Sequence, residues 1–502
     1  MSLLPDMTAF ARGYDAGHNQ VVYTRVAADL DTPVSLMLKL GDAGLNTFML
    51  ESVTGGEVRG RYSIIGMNPD LIWECRGTTS RTNRNARYDA DAWVESTEPP
   101  LAALRALIAE SRIDLPADLP GAAAGLYGYL GYDMIRLVEH LPDVNPDPLG
   151  LPDAMMLRPS VVAVLDGVKG DVILVAPAWA GGDLSAKAAY AQAAERVMDA
   201  ERALTRALAE PRTLADPAPV APPQSNFTHQ GYLDAVETAK DYIKAGDIFQ
   251  VVPSQRWTQD FREPPFALYR SLRRTNPSPF MFYFNFGGFQ VIGASPEILV
   301  RVFDKEVTIR PIAGTRPRGA TPAEDAANEA DLLADKKELA EHLMLLDLGR
   351  NDTAKVTKVG TMRPTEKFII ERYSHVMHIV SNVVGELADD QDALSAFFAG
   401  MPAGTVSGAP KVRAMEIIDE LEPEKRGVYG GGCGYFSANG DMDMCIALRT
   451  AVVQDQKLYI QAGGGVVYDS DPEAEYQETV HKSNAIRKAA ADAAMFTGRG
   501  NS

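Results

Sequence analysis

From Ile248 onward the chain reads as short apolar segments of strand length, separated by tight turns. Ile248–Val252 alternates, with Ile248, Gln250 and Val252 on one side, and strand-like segments follow at 280–286, 289–292, 297–303, 306–311, 434–437, 444–453, 457–461 and 465–468. Strands joined by short turns pair antiparallel, because a parallel neighbour needs a long crossover between them. Few helices intervene. Helical spacing marks 323–347, 390–398, 411–421 and 472–493, and Tyr232, Val236, Ala239 and Ile243 form one face of another helix with Gly246 placed as its cap. The expected class is α/β of the α+β type, with large packed antiparallel β-sheets flanked by helices. There is neither a strand–GxGxxG–helix unit nor a GxxxxGK[ST] loop, so nucleotide binding has no support.

Five prolines, Pro211, Pro217, Pro219, Pro222 and Pro223, crowd one short stretch. Ahead of them residues 183–210 are Ala/Arg/Glu-rich at helical spacing, from Leu184 to Leu208. A helix running into a proline-stiffened linker divides the chain into 1–210, a linker at 211–227, and 228–490. A long surface excursion within one domain fits the same composition. Residues 77–99 are polar and read as a loop-rich edge.

Composition removes several classes of function. The 502 residues carry 49 Lys+Arg against 67 Asp+Glu, a net charge of −18. Such a surface repels nucleic acid and anionic lipid, so neither is an expected partner. An anionic substrate would need local cations, backbone amides or a metal to overcome that field. Three scattered cysteines suit neither a disulfide framework nor zinc, and point to a reducing compartment. The first residues lack a basic stretch followed by an apolar core, and no segment is long and apolar enough to span a membrane. A cytoplasmic location is expected.

Two helices offer paired carboxylates. Glu338 and Glu341 share one helix face at i, i+3, beside an expected apolar stripe of Leu339, Leu343 and Leu346. The second helix opens at Ser470, which with Glu473 fits a capping box, and carries Glu475, Glu478 and Lys482 along one face. Oxygen ligands without cysteine or clustered histidine suit magnesium better than zinc. Lys337–Glu341 and Glu478–Lys482 also have the spacing of solvated ion pairs, and spacing does not separate the two readings.

Other candidates are glycine turns and isolated polar groups. Gly463, Gly464 and Gly465 can aim backbone N–H groups at a carboxylate. Arg449, on an expected strand face with Cys445, Ala447 and Ala451, is costly among small residues unless an anion meets it. Thr405 offers a hydroxyl on a glycine-rich turn, and His378 is a possible acid–base group. Together these parts suit a small polyanion with a divalent cation.

The order IFQVVPSQRW, NPSPFMFYF, GASPEIL, PIAGTRPRG, KELAEHLMLLDLGRND, RYSHVMHIVSNV, PAGTVSGAPKVRAMEII, RGVYGGGCGYF, ALRTAVV and YIQAGGGVVYDSDPEAEYQET, spanning about 228–484, resembles the chorismate-utilising enzyme family. Within that family it is most similar to the anthranilate synthase component I members. TFMLESV and GRYSIIGMNP near the start resemble the same members more loosely.

The resemblance implies the chorismate-utilising fold and a magnesium-dependent lyase. Ammonia would add at ring C2 of chorismate as the C4 hydroxyl leaves, and loss of pyruvate would then give anthranilate for tryptophan biosynthesis. It implies magnesium held by Glu341 and Glu478, with Glu338 and Glu475 acting through water. Chorismate would be gripped by Arg449, Tyr429, Thr405, Lys482 and the amides of Gly463, Gly464 and Gly465, with Gly314 and Thr315 near its ring. Glu338 is the implied acid for the departing hydroxyl, and His378 the group acting in pyruvate elimination.

Two positions separate sister activities. Water-using members carry a lysine base where this chain has Gln250, and aminodeoxychorismate synthases a nucleophilic lysine where it has Ala313. The alternatives to an anthranilate synthase are an aminodeoxychorismate synthase component I and a tryptophan-binding module without catalysis. The resemblance further implies a separate glutamine amidotransferase subunit as ammonia source. It also implies a feedback site for tryptophan formed by Ser52, Pro279, Phe280 and Met281.

Overall fold

The computed structural model describes residues 2–41, 44–53, 60–208, 222–373 and 376–497. Within them 21 strands join edge to edge into one hydrogen-bonded system, and Gln250–Val251 pairs separately with Gly408–Ala409. The ladders are antiparallel, as short connections require, and helices flank them; the expected fold class holds.

The strands of the second half fall into two groups. One runs Ser254–Asp260, Lys457–Gly463, Thr450–Gln454, Phe289–Ser295, Phe280–Asn285. The other runs Gly432–Ser437, Met442–Ile446, Ile298–Phe303, Glu306–Ile309, Val376–Glu386, and the last of these also pairs with Ile312–Pro317 and Arg363–Arg372. Among the described residues the two groups meet only through strands of the first half. Thr47–Glu51 pairs with Phe280–Asn285 and leads through Tyr62–Arg76 and Ala154–Asp166 to Gly125–Leu130, which pairs with Gly432–Ser437.

The chain itself crosses between the groups twice. It passes from Phe289–Ser295 to Ile298–Phe303 through Pro296-Glu297, and returns from Met442–Ile446 to Thr450–Gln454 through Ala447-Leu448-Arg449. The crossings are tied together: Ile446 N–H donates to the Glu297 carbonyl at 3.0 Å, and Ala294 N–H to the Arg449 carbonyl at 3.1 Å. The expected continuous strand at 444–453 is therefore two strands. Arg449 does not share a strand face with Cys445, Ala447 and Ala451; it sits in the break at φ +49°, a left-handed conformation that is uncommon for a residue with a side chain.

The core is built by the sheet faces. Phe48, Tyr127, Tyr129, Phe282, Phe284 and Val291 pack in one buried cluster that draws on both halves of the chain. Phe282 lies across its register partner Gly293, where a Cβ would stand 2.1 Å from the ring. An aromatic over a glycine fills the gap the missing side chain leaves. A second cluster sets the helices Met7–Asp15, Ala186–Leu204 and Pro265–Thr275 against the sheet.

The helix with Tyr232 on its buried face spans His229–Ala245 and stops at Gly246 with φ +85°. The expected helix 323–347 is two, Pro322–Ala334 and Lys336–Ala354, because Asp335 ends one and caps the next by accepting from Lys337 N–H at 3.0 Å and Glu338 N–H at 3.3 Å. Leu343 is exposed, so the buried stripe there is His342, Leu345 and Leu346. Ser470 does not cap the last helix; Asp471 does, accepting from Ala474 N–H. The segment 465–468 makes only a single bridge, Val466 to Val251. The polar stretch 77–99 holds two short strands, Thr79–Asn83 beside Tyr62–Arg76 and Trp93–Glu95 at the edge beyond it. Most of the proline-rich linker, 211–221, lies outside the described residues, and Gln224–Ser225 at its end pairs with Trp257 and Thr258.

Candidate active site

A cavity of about 730 Å³ opens where the two crossings meet. Its wall includes Gln250, Gly314, Thr315, Glu338, Glu341, His378, Thr405, Tyr429, Arg449, Gly463, Gly465, Glu475, Glu478 and Lys482. Residues from nine separate stretches of sequence thus converge on one space. Ala313 lines it as well. Gly464 does not: its N–H donates to the Pro253 carbonyl at 3.1 Å, and the space a Cβ would take is closed by Glu475 Oε2 at 3.1 Å. Its amide is engaged within the protein, against the expectation that all three glycines present amides to a ligand.

Among the described residues two cations of the cavity have no carboxylate hydrogen-bonded to them, the exposed Lys337 and the more deeply set Arg449. Burial lowers the Arg449 pKa, and Tyr429 and Glu478 favour its charge only through space. A guanidinium held that way is a receptor for a carboxylate brought by a ligand. Lys482 is differently placed, with Nζ 2.6 Å from Glu478 Oε1 and donating to the Gly463 carbonyl at 2.9 Å. The ion-pair reading of Glu478–Lys482 and its place in the cavity are both met.

The four glutamates press on one another. Burial raises the Glu341 pKa, and the nearby charges of Glu338 and Glu478 raise it further. Burial pushes Glu475 up to about 7 despite a hydrogen bond from Ser470 Oγ at 2.7 Å, and its Oε2 is buried without a hydrogen-bond partner. Crowded carboxylates with an unpartnered buried oxygen suit a divalent cation. Among the described residues no three acidic, histidine or cysteine side chains stand close enough to form a metal cage by themselves. Magnesium rarely uses such a cage; it binds one or two carboxylates and completes its shell with water and substrate oxygen. The residues fit that mode.

His378 is fixed by a β-bulge. The register between Ile312–Pro317 and Val376–Glu386 slips at Gly314, whose φ is +73°. Gly314 O then stands 3.2 Å from His378 Nδ1, and Thr315 Oγ1 3.0 Å from it. A carbonyl can only accept, so Nδ1 carries the hydrogen and Nε2 carries the lone pair in the neutral ring. Burial lowers the His378 pKa, which favours that neutral form.

Sequence reasoning passed over Glu297. It is buried at the first crossing, lines the cavity, and accepts from Thr405 Oγ1 at 3.1 Å. Burial raises its pKa to about 8, only partly offset by Thr405, the Ile312 amide and Lys482. It holds a proton at neutral pH. Glu338, by contrast, accepts from Arg316 Nη1 at 3.2 Å, and Arg316 also pairs with Asp331 and Asp335. The available signal was an acidic residue opening the apolar run 297–303.

Of the four residues expected to bind an inhibitor, Ser52 lines a separate cavity of about 670 Å³ with Arg61, Arg270, Arg273 and Arg274. Met281 is buried in the core, paired in register with Glu51, and Pro279 and Phe280 continue the same strand end. Val53 N–H donates to Ser278 O at 3.2 Å, so Ser52 and the Pro279–Met281 segment stand at one strand end.

A protein family described as chorismate binding enzyme matches residues 68–488. The chain belongs to that family. Its relatives there include a Cereibacter sphaeroides protein named anthranilate synthase component 1, 75% identical over 98% of each chain. A Pseudomonas putida protein of the same name is 48% identical over 96% of this chain and 97% of its own. Anthranilate synthase component I from Streptococcus pneumoniae superposes with a TM-score of 0.76 at 36% identity, covering 92% of this chain and 99% of that one. The fold extends to the menaquinone-specific isochorismate synthase of Escherichia coli, at a TM-score of 0.69 and 20% identity over 94% and 95% of the two chains. The family is one of enzymes, and among the described residues no helix is long and apolar enough to cross a membrane.

Proposed function

We propose that the chain is the chorismate-converting subunit of an anthranilate synthase, a cytoplasmic lyase of tryptophan biosynthesis. It takes chorismate and ammonia to anthranilate and pyruvate. One observation carries the reading: a single cavity contains Arg449 without a carboxylate partner, four crowded glutamates, and neutral Gln250 and Ala313 in place of lysines. The full-length likeness to proteins named anthranilate synthase component 1 supports it.

The residues divide the work by their chemistry. Arg449 takes a carboxylate of chorismate in a bidentate grip, and the hydroxyls of Tyr429 and Thr405 orient the ring. Glu341 and Glu478 would hold magnesium, with Glu338 and Glu475 reaching it through water. Magnesium, when bound, supplies positive charge for the ring carboxylate amid the glutamates. Glu297, protonated at neutral pH, is better fitted than ion-paired Glu338 to give the departing C4 hydroxyl its proton. His378 Nε2 takes a ring proton as pyruvate leaves and the ring becomes aromatic. Gln250 cannot activate water as an amine would, and Ala313 cannot attack C2, so the nucleophile is ammonia itself.

That ammonia comes from glutamine through a partner amidotransferase subunit, for which the relatives' designation as component 1 speaks. Tryptophan inhibits by binding at Ser52, beside the strand end of Pro279, Phe280 and Met281. The test is turnover by the chain alone with chorismate, magnesium and ammonium. Anthranilate and pyruvate are expected in equal amounts, with none from glutamine until the partner is added. Isochorismate or aminodeoxychorismate as the product would overturn the reading, and binding of tryptophan without turnover would make the chain a sensor.

A further inference from the structure

Outside the cavity wall, one buried ion pair touches several segments that carry wall residues. Arg426 and Glu422 are 3% and 4% exposed and join at 2.5 Å. Arg426 Nη1 donates to the Val406 carbonyl and Nη2 to the Val252 carbonyl, each at 2.6 Å. Val406 follows Thr405 on its turn, and Val252 is two residues from Gln250. The guanidinium also lies over the Tyr429 ring at 5.5 Å and the Tyr132 ring at 4.7 Å. Glu422 Oε1 accepts from the Ser254 amide at 2.7 Å and its hydroxyl at 2.8 Å, and Ser254 Oγ accepts from Gln461 Nε2 at 2.8 Å.

A buried charge pair is often no more stabilising than apolar residues of the same volume. Its geometry here does something apolar residues cannot. The rigid planar fork of arginine holds two carbonyls and one carboxylate at once, and two tyrosine rings lie within cation–π distance of it. We propose that Arg426 and Glu422 are positioning residues: they set Thr405, Tyr429 and the Gln250 segment in the register that chorismate requires, without touching it. The inference rests on the reading of the cavity as a chorismate site.

Calorimetric binding of chorismate to the full chain, with magnesium present and ammonium withheld, tests it. Arg426→Lys keeps the charge and loses the fork, and raises Kd about 30-fold, within the range of coupled neighbours. In a Thr405→Ala/Tyr429→Phe background, where the two positioned hydroxyls are gone, the same change costs less than about 3-fold. An equal loss in both backgrounds would show general damage and overturn the proposal, as would an unchanged Kd in the parent. If Arg426→Lys does not fold, Ser254→Ala decides, since it cuts one link and leaves the ion pair. A Kd raised about 5-fold supports the positioning role of the pair and an unchanged Kd refutes it. Anthranilate formation is scored separately: a parent chain that binds chorismate and releases no anthranilate sinks the assigned reaction and leaves the positioning role standing.

Discussion

Replacing Glu297 with glutamine should make the protein more stable and much less active. Burial raises this carboxyl from 4.5 to about 8. The folded chain therefore holds a proton that the unfolded chain releases above pH 4.5. Stability from this group is complete below about 4.5, falls by about 1.4 kcal/mol per pH unit as pH rises, and levels off above 8. At pH 7 the wild-type chain has lost about 3 kcal/mol by this route. Glu297→Gln has no proton to lose. It gains up to that amount relative to wild type at pH 7, less whatever the altered bond to Thr405 costs. For a chain of 502 residues the unfolding entropy is about 1 kcal/mol per kelvin, so the melting temperature rises by about 3 °C at pH 7. Little difference is expected near pH 4.5. Turnover moves the other way: loss of a general acid lowers kcat about 100-fold or more, and the alkaline limb of the wild-type rate profile near pH 8 disappears. Scanning calorimetry at the two pH values, with initial rates from pH 6 to 9, checks both halves. A variant that keeps wild-type turnover, or its alkaline limb, would refute the assignment. A melting temperature unchanged at pH 7 would refute the burial argument behind it.

Other expectations follow from the same structure. Glu341→Gln and Glu478→Gln should each lower kcat/KM at least about 100-fold and weaken the response to added magnesium, measured by titrating the metal into the turnover assay. His378→Met should leave chorismate consumption faster than anthranilate release, so that an aminated, non-aromatic intermediate builds up on chromatography. Gly293→Ala drives a methyl into the Phe282 ring, where a Cβ would come to 2.1 Å, and should cost about 1–3 kcal/mol by chemical denaturation. Ser52→Phe should relieve inhibition by tryptophan, seen as unchanged anthranilate formation at tryptophan levels that silence the wild-type chain.

Much of this was legible in the sequence because it rests on local signals. Strand after strand with tight turns dictates antiparallel sheets, and the i, i+3 spacing of Glu338 and Glu341 carried both into the cavity together. Non-local pairing decided the remainder. Arg449 looked like a strand residue because its neighbours alternate, and nothing nearby in sequence says that the chain changes sheet there. Glu297 sits at the matching crossing, and its raised pKa comes from burial by segments far away in sequence. Asp335 broke a helix whose apolar period ran through it, since its carboxylate could serve the next helix's first amides. Gly464 shows the limit of reading glycine runs: three in a row promise amides, and only the Pro253 carbonyl shows where one of them goes.

The first half of the chain also has a role that composition did not reveal. Its strands are the hydrogen-bonded link between the two groups that meet at the cavity. Expressed without it, residues 228–490 would expose the edges of Phe280–Asn285 and Gly432–Ser437, and exposed edges invite aggregation.

The proposed reaction requires one cavity that binds a dianion between Arg449 and a cation held by glutamates. Crystals soaked with chorismate and manganese in place of magnesium test this through the anomalous signal. One ion is expected, bound by carboxylate oxygens of Glu341 and Glu478, with a ligand carboxylate completing its shell and another on the Arg449 guanidinium. An ion elsewhere, or chorismate bound with Arg449 untouched, would contradict the proposed reaction.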